Sequence, residues 1–331
     1  MISIMWYLIL FQIINGYVKT YPFFKTKILI FYIFLYCGKI EIEVFDMNFK
    51  LYLLLDRTKS IMPKDFIDMA LTNPEFSFEL IDDKDVVLNY NDKNMIFEAK
   101  IYIKEKSIIP NIHMLNAQYK NINMHIELPL TYPNYKFSLF IDKITLMAKK
   151  FDLFIYTECF SDVSAFKKDD IIYAYNTTKH AYMEKYPDVF LNYYKVDSLK
   201  LSDFLMYENE YNHAVKHYQN SGITVPKLLY YVDELTGNVS TAIEWNGVTN
   251  LLIPPFIDYI YYKTNDDSMI VLAKEFTTQL KKHIDNIQSF LPGTKVISEK
   301  KLIKCQKTLK KARFTLIRKN FKVVSQTVLI D

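Results

Sequence analysis

The sequence predicts an α+β protein in which strands and helices are mixed within each of two regions. Segments that alternate apolar and polar residues, as half-buried strands do, are interspersed with segments whose apolar residues recur at helical spacing. The two kinds of segment do not alternate regularly, which disfavours a doubly wound parallel sheet. Half of the 331 residues are apolar and 24% are charged, so the chain can bury a substantial core.

The first region, residues 47–165, is predicted to be an α+β domain with the order β-α-β-β-β-β-α-β, which is loosely ferredoxin-like. Its first helix begins at Pro63, because proline suits the first turn of a helix. The second begins at Asn134 and places Phe137 and Ile141 on one apolar stripe. Alternation predicts strands at 48–56, 75–81, 86–90, 95–103, 122–128 and 153–157.

A helical connector is predicted over residues 166–225, which are polar and rich in tyrosine. It leads into an α+β region, residues 226–331, that combines hairpin strands, two long helices and a closing strand. Gly237 supplies the positive φ that the hairpin turn needs, and Ser268 is expected to cap the first long helix. The other predicted elements are strands at 228–232, 239–245, 257–263 and 321–330 and a basic C-terminal helix at 299–319.

An apolar leader is predicted at residues 1–46, where 31 residues are apolar or aromatic and no acidic residue precedes Glu41. This composition is typical of translated A/T-rich DNA, so our first hypothesis is that the leader is untranslated and that translation starts at Met47. The alternative is a protein anchored in the membrane through residues 1–38. The leader does not have the order of basic, apolar and small residues that a signal peptide needs.

The net charge of +4 conceals three differently charged parts of the chain. The leader carries +1, residues 47–294 carry −6, and residues 295–331 carry +9. An acidic body argues against a broad cationic platform for nucleic acid, so no DNA partner is expected. The basic end predicts a contact with something anionic or a solvated helix face.

Several kinds of enzyme site have no motif in this sequence. With only six glycines, it lacks both standard phosphate-binding loops. It also has no nucleophile elbow, no zinc-protease helix motif and no Cys-x-x-Cys pair. Its three cysteines lie far apart, which favours a reducing, cytoplasmic location. We therefore expect no cofactor and lean towards a protein that is not an enzyme.

The best candidate for metal chemistry is the set Glu210, His213 and His217. Spacings of three and four residues put all three on one face of a helix, and zinc accepts two histidines with one carboxylate. A solvated polar helix face would have the same residues, because the neighbouring sequence is also polar.

The candidate interaction residues are Trp245, Lys304, Lys307 and Lys311. Trp245 precedes an Asn-Gly turn, and exposed tryptophans are enriched in protein interfaces. The three lysines lie in the predicted basic helix, whose apolar stripe indicates a terminal helix packed on the body. The lysines would then be solvated, or would contact RNA, an anionic membrane or the acidic body itself.

The leading functional expectation is a bacterial cytoplasmic protein that binds another protein, as an adaptor or as an immunity or stress accessory. The second is a metal-dependent hydrolase that uses Glu210, His213 and His217. The third is a membrane-anchored protein, and a membrane partner is expected only if residues 1–46 are translated.

Overall fold

The structure is a computed structural model that describes residues 47–331 except for 107–108, 264–267, 316 and 318–319. The part from Asn48 to Asp331 forms one compact unit. The leader lies outside the described residues. The predictions of a late translation start and of a membrane anchor concern those residues, so they stay predictions. Within the described part of the chain, no helix is both long enough and apolar enough to cross a bilayer.

The α+β class is confirmed, and the first region has the predicted order of elements with one further strand at its end. Its helices are α1 (Pro63–Ala70) and α2 (Asn134–Phe151). Its strands are β1 (Asn48–Asp56), β2 (Phe76–Leu80), β3 (Val86–Asp92), β4 (Phe97–Ile103), β5 (Tyr119–Pro129), β6 (Phe154–Tyr156) and β7 (Ser164–Ala165).

These seven strands form one antiparallel sheet in the order β2-β3-β4-β5-β1-β6-β7. Strand β1 lies between β5 and β6 and is antiparallel to both, so β5, α2 and β6 form a split β-α-β unit. This unit is the ferredoxin-like part of the sheet. Strands β2 to β5 follow one another as a meander.

Helix α2 packs its predicted stripe against one face of this sheet. Phe137 contacts Phe49 of β1 at 5.9 Å between ring centroids, and Phe140 contacts Tyr90 of β3 at 5.1 Å. The stripe residue Ile141 is fully buried. The apolar stripe of the helix, which repeats every 3.6 residues, therefore packs against the apolar face of the strands, which repeats every two residues.

The predicted connector contains two helices, α3 (Lys168–Lys185) and α4 (Ser198–Tyr218). Asp197 caps α4, because its carboxylate accepts hydrogen bonds from the backbone N–H groups of Leu199 and Lys200. Buried side chains of both helices belong to the same apolar cluster as those of the seven-stranded sheet and of the C-terminal region.

A buried ion pair joins the last residue of the sequence to the connector. The Lys179 ammonium lies 2.7 Å from Oδ1 of Asp331, and both side chains are almost fully buried. Ser198 Oγ donates to Oδ2 of Asp331, and the backbone N–H of Asn134 donates to Oδ1. Burial lowers the pKa of Lys179, so its proton is retained mainly through the attraction of Asp331. The carboxylate thus links the first turns of α2 and α4.

The remaining strands, numbered along the chain, are β8 (Tyr194–Lys195), β9 (Ile223–Thr224), β10 (Leu228–Asp233), β11 (Val239–Trp245), β12 (Asn250–Ile253), β13 (Tyr259–Lys263), β14 (Ser268–Leu272), β15 (Asp285–Asn286), β16 (Lys295–Ile297), β17 (Phe321–Val324) and β18 (Leu329–Ile330). Strands β8 and β9 belong to the connector and the others to the C-terminal region. They form two further sheets, in the orders β14-β13-β11-β10-β17 and β15-β16-β12-β9, and a short pair of β18 with β8. Gly237 has a φ of +70° in the β10–β11 turn, as predicted. The helices of the C-terminal region are α5 (Ala273–Gln279) and α6 (Glu299–Leu309).

The prediction of a long helix that begins at Ser268 is wrong. Residues Ser268–Leu272 form strand β14, which pairs antiparallel with β13 and places Val271 opposite Ile260. Only Ala273–Gln279 is α-helical. A short apolar run fits a strand and a helix equally well, and here the neighbouring strand supplies the hydrogen bonds that decide the outcome.

The basic helix is also shorter than predicted, because α6 ends at Leu309. Beyond it, tertiary hydrogen bonds replace the helical ones. Gln279 of α5 donates to the carbonyl of Arg313, and the Glu275 carboxylate accepts from the N–H of Thr315. The closing strand is likewise divided into β17 and β18 by a 3₁₀ turn.

Candidate interaction surface

Exposed lysines are concentrated on α6 and on the 3₁₀ turn at Lys281–His283. On α6, Lys300, Lys304 and Lys307 lie three or four residues apart, so they form one stripe, which Lys311 extends just past the helix. Seven exposed lysines of this part of the chain form what we call the lysine face: Lys281, Lys282, Lys300, Lys304, Lys307, Lys310 and Lys311.

The opposite side of α6 fixes the helix on the body. Cys305 is fully buried, and burial raises the pKa of its thiol to about 12. Gln306 Nε2 donates to the carbonyl of Gly247 at 2.8 Å. The helix is therefore packed on the C-terminal region, and the lysines of its exposed stripe point to solvent.

One hydrogen bond brings the two parts of the lysine face together. His283 Nε2 lies 3.0 Å from Thr308 Oγ1 of α6. Thr308 is one turn from Lys304 and nearly one turn from Lys311, so those two lysines flank this contact. Lys282, which precedes His283, adds its charge at the same place.

The lysine face has no acidic counterpart within the described residues. Lys304, Lys307 and Lys311 have no carboxylate within 4.0 Å there, so these lysines form no ion pair with the acidic body in that part of the chain. Lys301, on the inner side of α6, differs because it pairs with Asp285. The uncompensated charge is thus on the exposed stripe.

Trp245 does not belong to this surface, and its predicted exposure is wrong. The side chain is 1% exposed, and its ring lies 5.6 Å from those of Tyr262 and Phe276. Its Nε1 donates to the carbonyl of Thr249 at 2.8 Å. The parallel pairing of β11 with β13 puts Trp245 beside Tyr262, where α5 covers both residues.

Glu210, His213 and His217 all lie on α4, as predicted, but they do not form a metal site. Within the described residues, no three His, Cys, Asp or Glu side chains are close enough to hold one ion. Both histidines are exposed and Glu210 is partly buried. Glu210 and His217 are seven residues apart, or about 10 Å along the helix axis, which is far for one ion whose ligand bonds are about 2 Å long.

The sequence did not predict a polar cluster on the open face of the seven-stranded sheet. His125 of β5 is stacked on Tyr102 of β4 at 5.0 Å, and its Nε2 lies 3.2 Å from the Glu127 carboxylate. Lys50 of β1 lies 3.7 Å from the same carboxylate. Cross-strand register, which only the fold provides, brings these residues together. His125 Nδ1 is buried and has no hydrogen-bond partner among the described residues, while Nε2 faces Glu127. Because the residue is only 6% exposed, neither ring nitrogen is open to a substrate.

An apolar cavity of about 40 Å³ lies beside α6 and is lined by Tyr262, Phe276 and Phe314 among others. Pockets for small molecules are roughly 300–1,000 Å³, so this cavity has room for a methyl-sized group rather than a substrate. It reflects the imperfect packing of the segment that follows α6.

Comparison of the chain with protein-family models, with curated proteins and with solved structures finds no match. Its function is therefore argued from its own residues.

Proposed function

We propose that this chain is a protein-binding module and that the lysine face receives an acidic surface of a partner protein. The observation that supports the proposal is the convergence of exposed lysines from α6 and from the 3₁₀ turn, none of which has a carboxylate within 4.0 Å in the described part of the chain. In this proposal the chain acts in the bacterial cytoplasm as an adaptor or as an immunity or stress accessory.

The charge of the rest of the molecule favours a protein over a nucleic acid. A duplex carries one charge per ~1.7 Å along its whole axis and would extend from the lysine face onto a body of net charge −6. A protein can restrict its acidic residues to the area that meets the lysines. Lysine is also a compact point charge without the planar fork by which arginine recognises phosphate.

Electrostatic attraction of this kind acts mostly on the rate of association, and salt screens it. The lysines are exposed, so each ion pair with the partner is expected to contribute less than about 1 kcal/mol. The affinity for the partner is expected to come from several such ion pairs together with apolar contacts around them.

The test uses the full chain with an affinity tag, expressed in the organism that encodes it. Cross-linked complexes are treated with nuclease, and the partner and the cross-linked residues are identified by mass spectrometry. We expect an acidic segment of one protein to be linked to Lys304, Lys307 or Lys311. In the triple variant K304E/K307E/K311E, the affinity for that purified partner is expected to fall at least tenfold.

The matched control is K64E/K93E/K106E, which reverses three exposed lysines of the first region. Its affinity should fall less than twofold, because these lysines lie outside the lysine face. Circular dichroism of both variants checks that the fold is intact. Equal binding by the wild type and K304E/K307E/K311E would contradict the proposal. So would a complex that nuclease abolishes, since RNA would then be the ligand.

A further inference from the structure

We propose that the open edge of β2 is a second docking site, which accepts an extended basic segment of a partner protein as an added antiparallel strand. The site is independent of the lysine face, because it lies on the seven-stranded sheet and has the opposite charge.

The backbone of β2 is oriented to bind another strand. It is the outermost strand of its sheet and pairs only with β3 among the described residues. Asn91 N–H donates to the Glu75 carbonyl at one end of this pair, and Ile81 N–H donates to the Asp85 carbonyl at the other. Because hydrogen-bonded and non-hydrogen-bonded positions alternate in an antiparallel pair, the N–H and C=O groups of Phe78 and Leu80 point away from β3.

The side chains at these two positions are also uncovered. Phe76 is 6% exposed, whereas Phe78 is 54% and Leu80 is 65% exposed. All three residues point to the face of the sheet that α2 covers, so the helical layer ends between Phe76 and Phe78. Exposed apolar edge strands tend to pair with other chains, and charged residues on the edge are the usual protection. Glu79 is the charge within this strand.

The charge around the edge determines which strand fits. Residues 75–85 contain five acidic residues and one lysine, and that lysine, Lys84, is paired with Glu105 at 2.8 Å. Asp82 stays ionised, because the backbone N–H of Lys84 lowers the pKa of its carboxyl group. A partner strand with basic residues on the Glu79 side and apolar residues opposite Phe78 and Leu80 therefore matches both faces. A second copy of β2 would instead add acidic residues.

The probe is an acetylated, amidated heptapeptide in which lysine and valine alternate, Lys-Val-Lys-Val-Lys-Val-Lys. It is added to the full chain, and amide hydrogen exchange is followed at single residues. We expect exchange at Phe78 and Leu80 to slow at least tenfold on binding. Exchange at Ser77 and Glu79 should stay the same, since their amides already face β3.

Two matched peptides separate backbone pairing from charge alone. N-methylation of the three valine amides removes the donors that would face Phe78 and Leu80, and should abolish the protection. N-methylation of the internal lysine amides should leave it, because those amides point away from β2. A peptide of the same composition with its valines in one block should not protect either residue.

Variants of the protein complete the test. F78E/L80E should weaken peptide binding at least tenfold, whereas L199E/L235E, which changes two exposed leucines elsewhere, should change it less than twofold. Slow exchange at Phe78 and Leu80 in the chain alone would show that a second copy or another part of the chain already covers the edge, and would overturn the proposal. Equal binding of the two N-methylated peptides would also overturn it.

Discussion

The meander of β2 to β5 in the first region and the sheets of the C-terminal region differ in whether strands pair with their neighbours in sequence. Strands β2 to β5 each pair with the strand that precedes or follows them in sequence. In the C-terminal region β10 pairs with β17, and β11 pairs in parallel with β13. When two paired strands are neighbours in sequence, the local residue pattern is enough to predict both of them. When the partner is distant in sequence, whether a segment becomes a strand depends on that distant partner.

The two regions also differ in their exposed charge. The free edge of the first region is acidic and apolar, and the free helix face of the second is basic. The partners that we propose for the two surfaces therefore have opposite charges. The following three predictions test how far the regions differ in stability, and they run from the largest expected effect to the smallest.

The largest effect is expected at the contact that ties the end of the C-terminal region to α2, α3 and α4. Lys179→Met leaves the buried Asp331 carboxylate without its ion-pair partner, which should lower the free energy of unfolding by about 3–5 kcal/mol. Urea unfolding followed by circular dichroism measures the change. One shifted transition would show that the regions unfold together, and two separate transitions would show that they do not.

Lys59→Met is the control for this measurement. Lys59 pairs with Asp152 at the same 2.7 Å, but both side chains are at least half exposed. The loss should be under about 1 kcal/mol, since water screens an exposed pair. If both variants lost the same free energy of unfolding, burial would not make the Lys179–Asp331 pair more important for stability than the exposed Lys59–Asp152 pair.

A smaller effect is expected in the difference between two glycine variants of the C-terminal region. Gly237 and Gly247 both have positive φ, and a Cβ on Gly237 would meet nothing within 4 Å. Gly237→Ala should therefore cost only the backbone term, about 1–2 kcal/mol. On Gly247 a Cβ would lie 2.7 Å from Cε2 of Tyr262, which adds about 1–3 kcal/mol of overpacking. Thermal unfolding of both variants gives the difference, and equal losses would mean that the Tyr262 ring moves away freely.

The smallest effect is a contrast in pH dependence between two glutamates. For Glu127 of the first region burial raises the pKa, but the hydrogen bond from His125 and the charge of Lys50 outweigh it, so the pKa falls below 4.5. Its contribution to stability is present above pH 4.5 and is lost as the pH falls through the folded-state pKa. For Glu208, which accepts from Tyr230 of β10, burial prevails and raises the pKa. Stability then falls as the pH rises from 4.5 through the folded-state pKa.

Glu127→Gln and Glu208→Gln should therefore act in opposite directions. At pH 7 the first variant is expected to be less stable than the wild type and the second more stable, by about 1 kcal/mol or less. Both differences should diminish at pH 3. Urea unfolding at the two pH values measures them, and the same sign for both variants would contradict the contrast.

The exposure of Lys304, Lys307 and Lys311 agrees with the sequence pattern, whereas the exposure predicted for Trp245 is wrong. Lys304 and Lys307 are exposed because the apolar side of α6, centred on Cys305, is packed on the body, and Lys311 extends the same stripe just past the helix. That division is visible in the helical spacing alone. The burial of Trp245 depends on Tyr262 and Phe276, which reach it from β13 and α5. No property of the residues next to it in sequence indicates that cover.

The sequence by itself determined the α+β class, the order of elements in the first region and the charge of its surfaces, because each follows from periods and residue types within a few positions. The tertiary structure alone decided that Ser268–Leu272 is a strand and that α6 ends at Leu309. It also brought Lys179 to Asp331 and left β2 at the edge of its sheet. These outcomes depend on hydrogen bonds and burial between segments far apart in the chain, for which a local pattern has no signal.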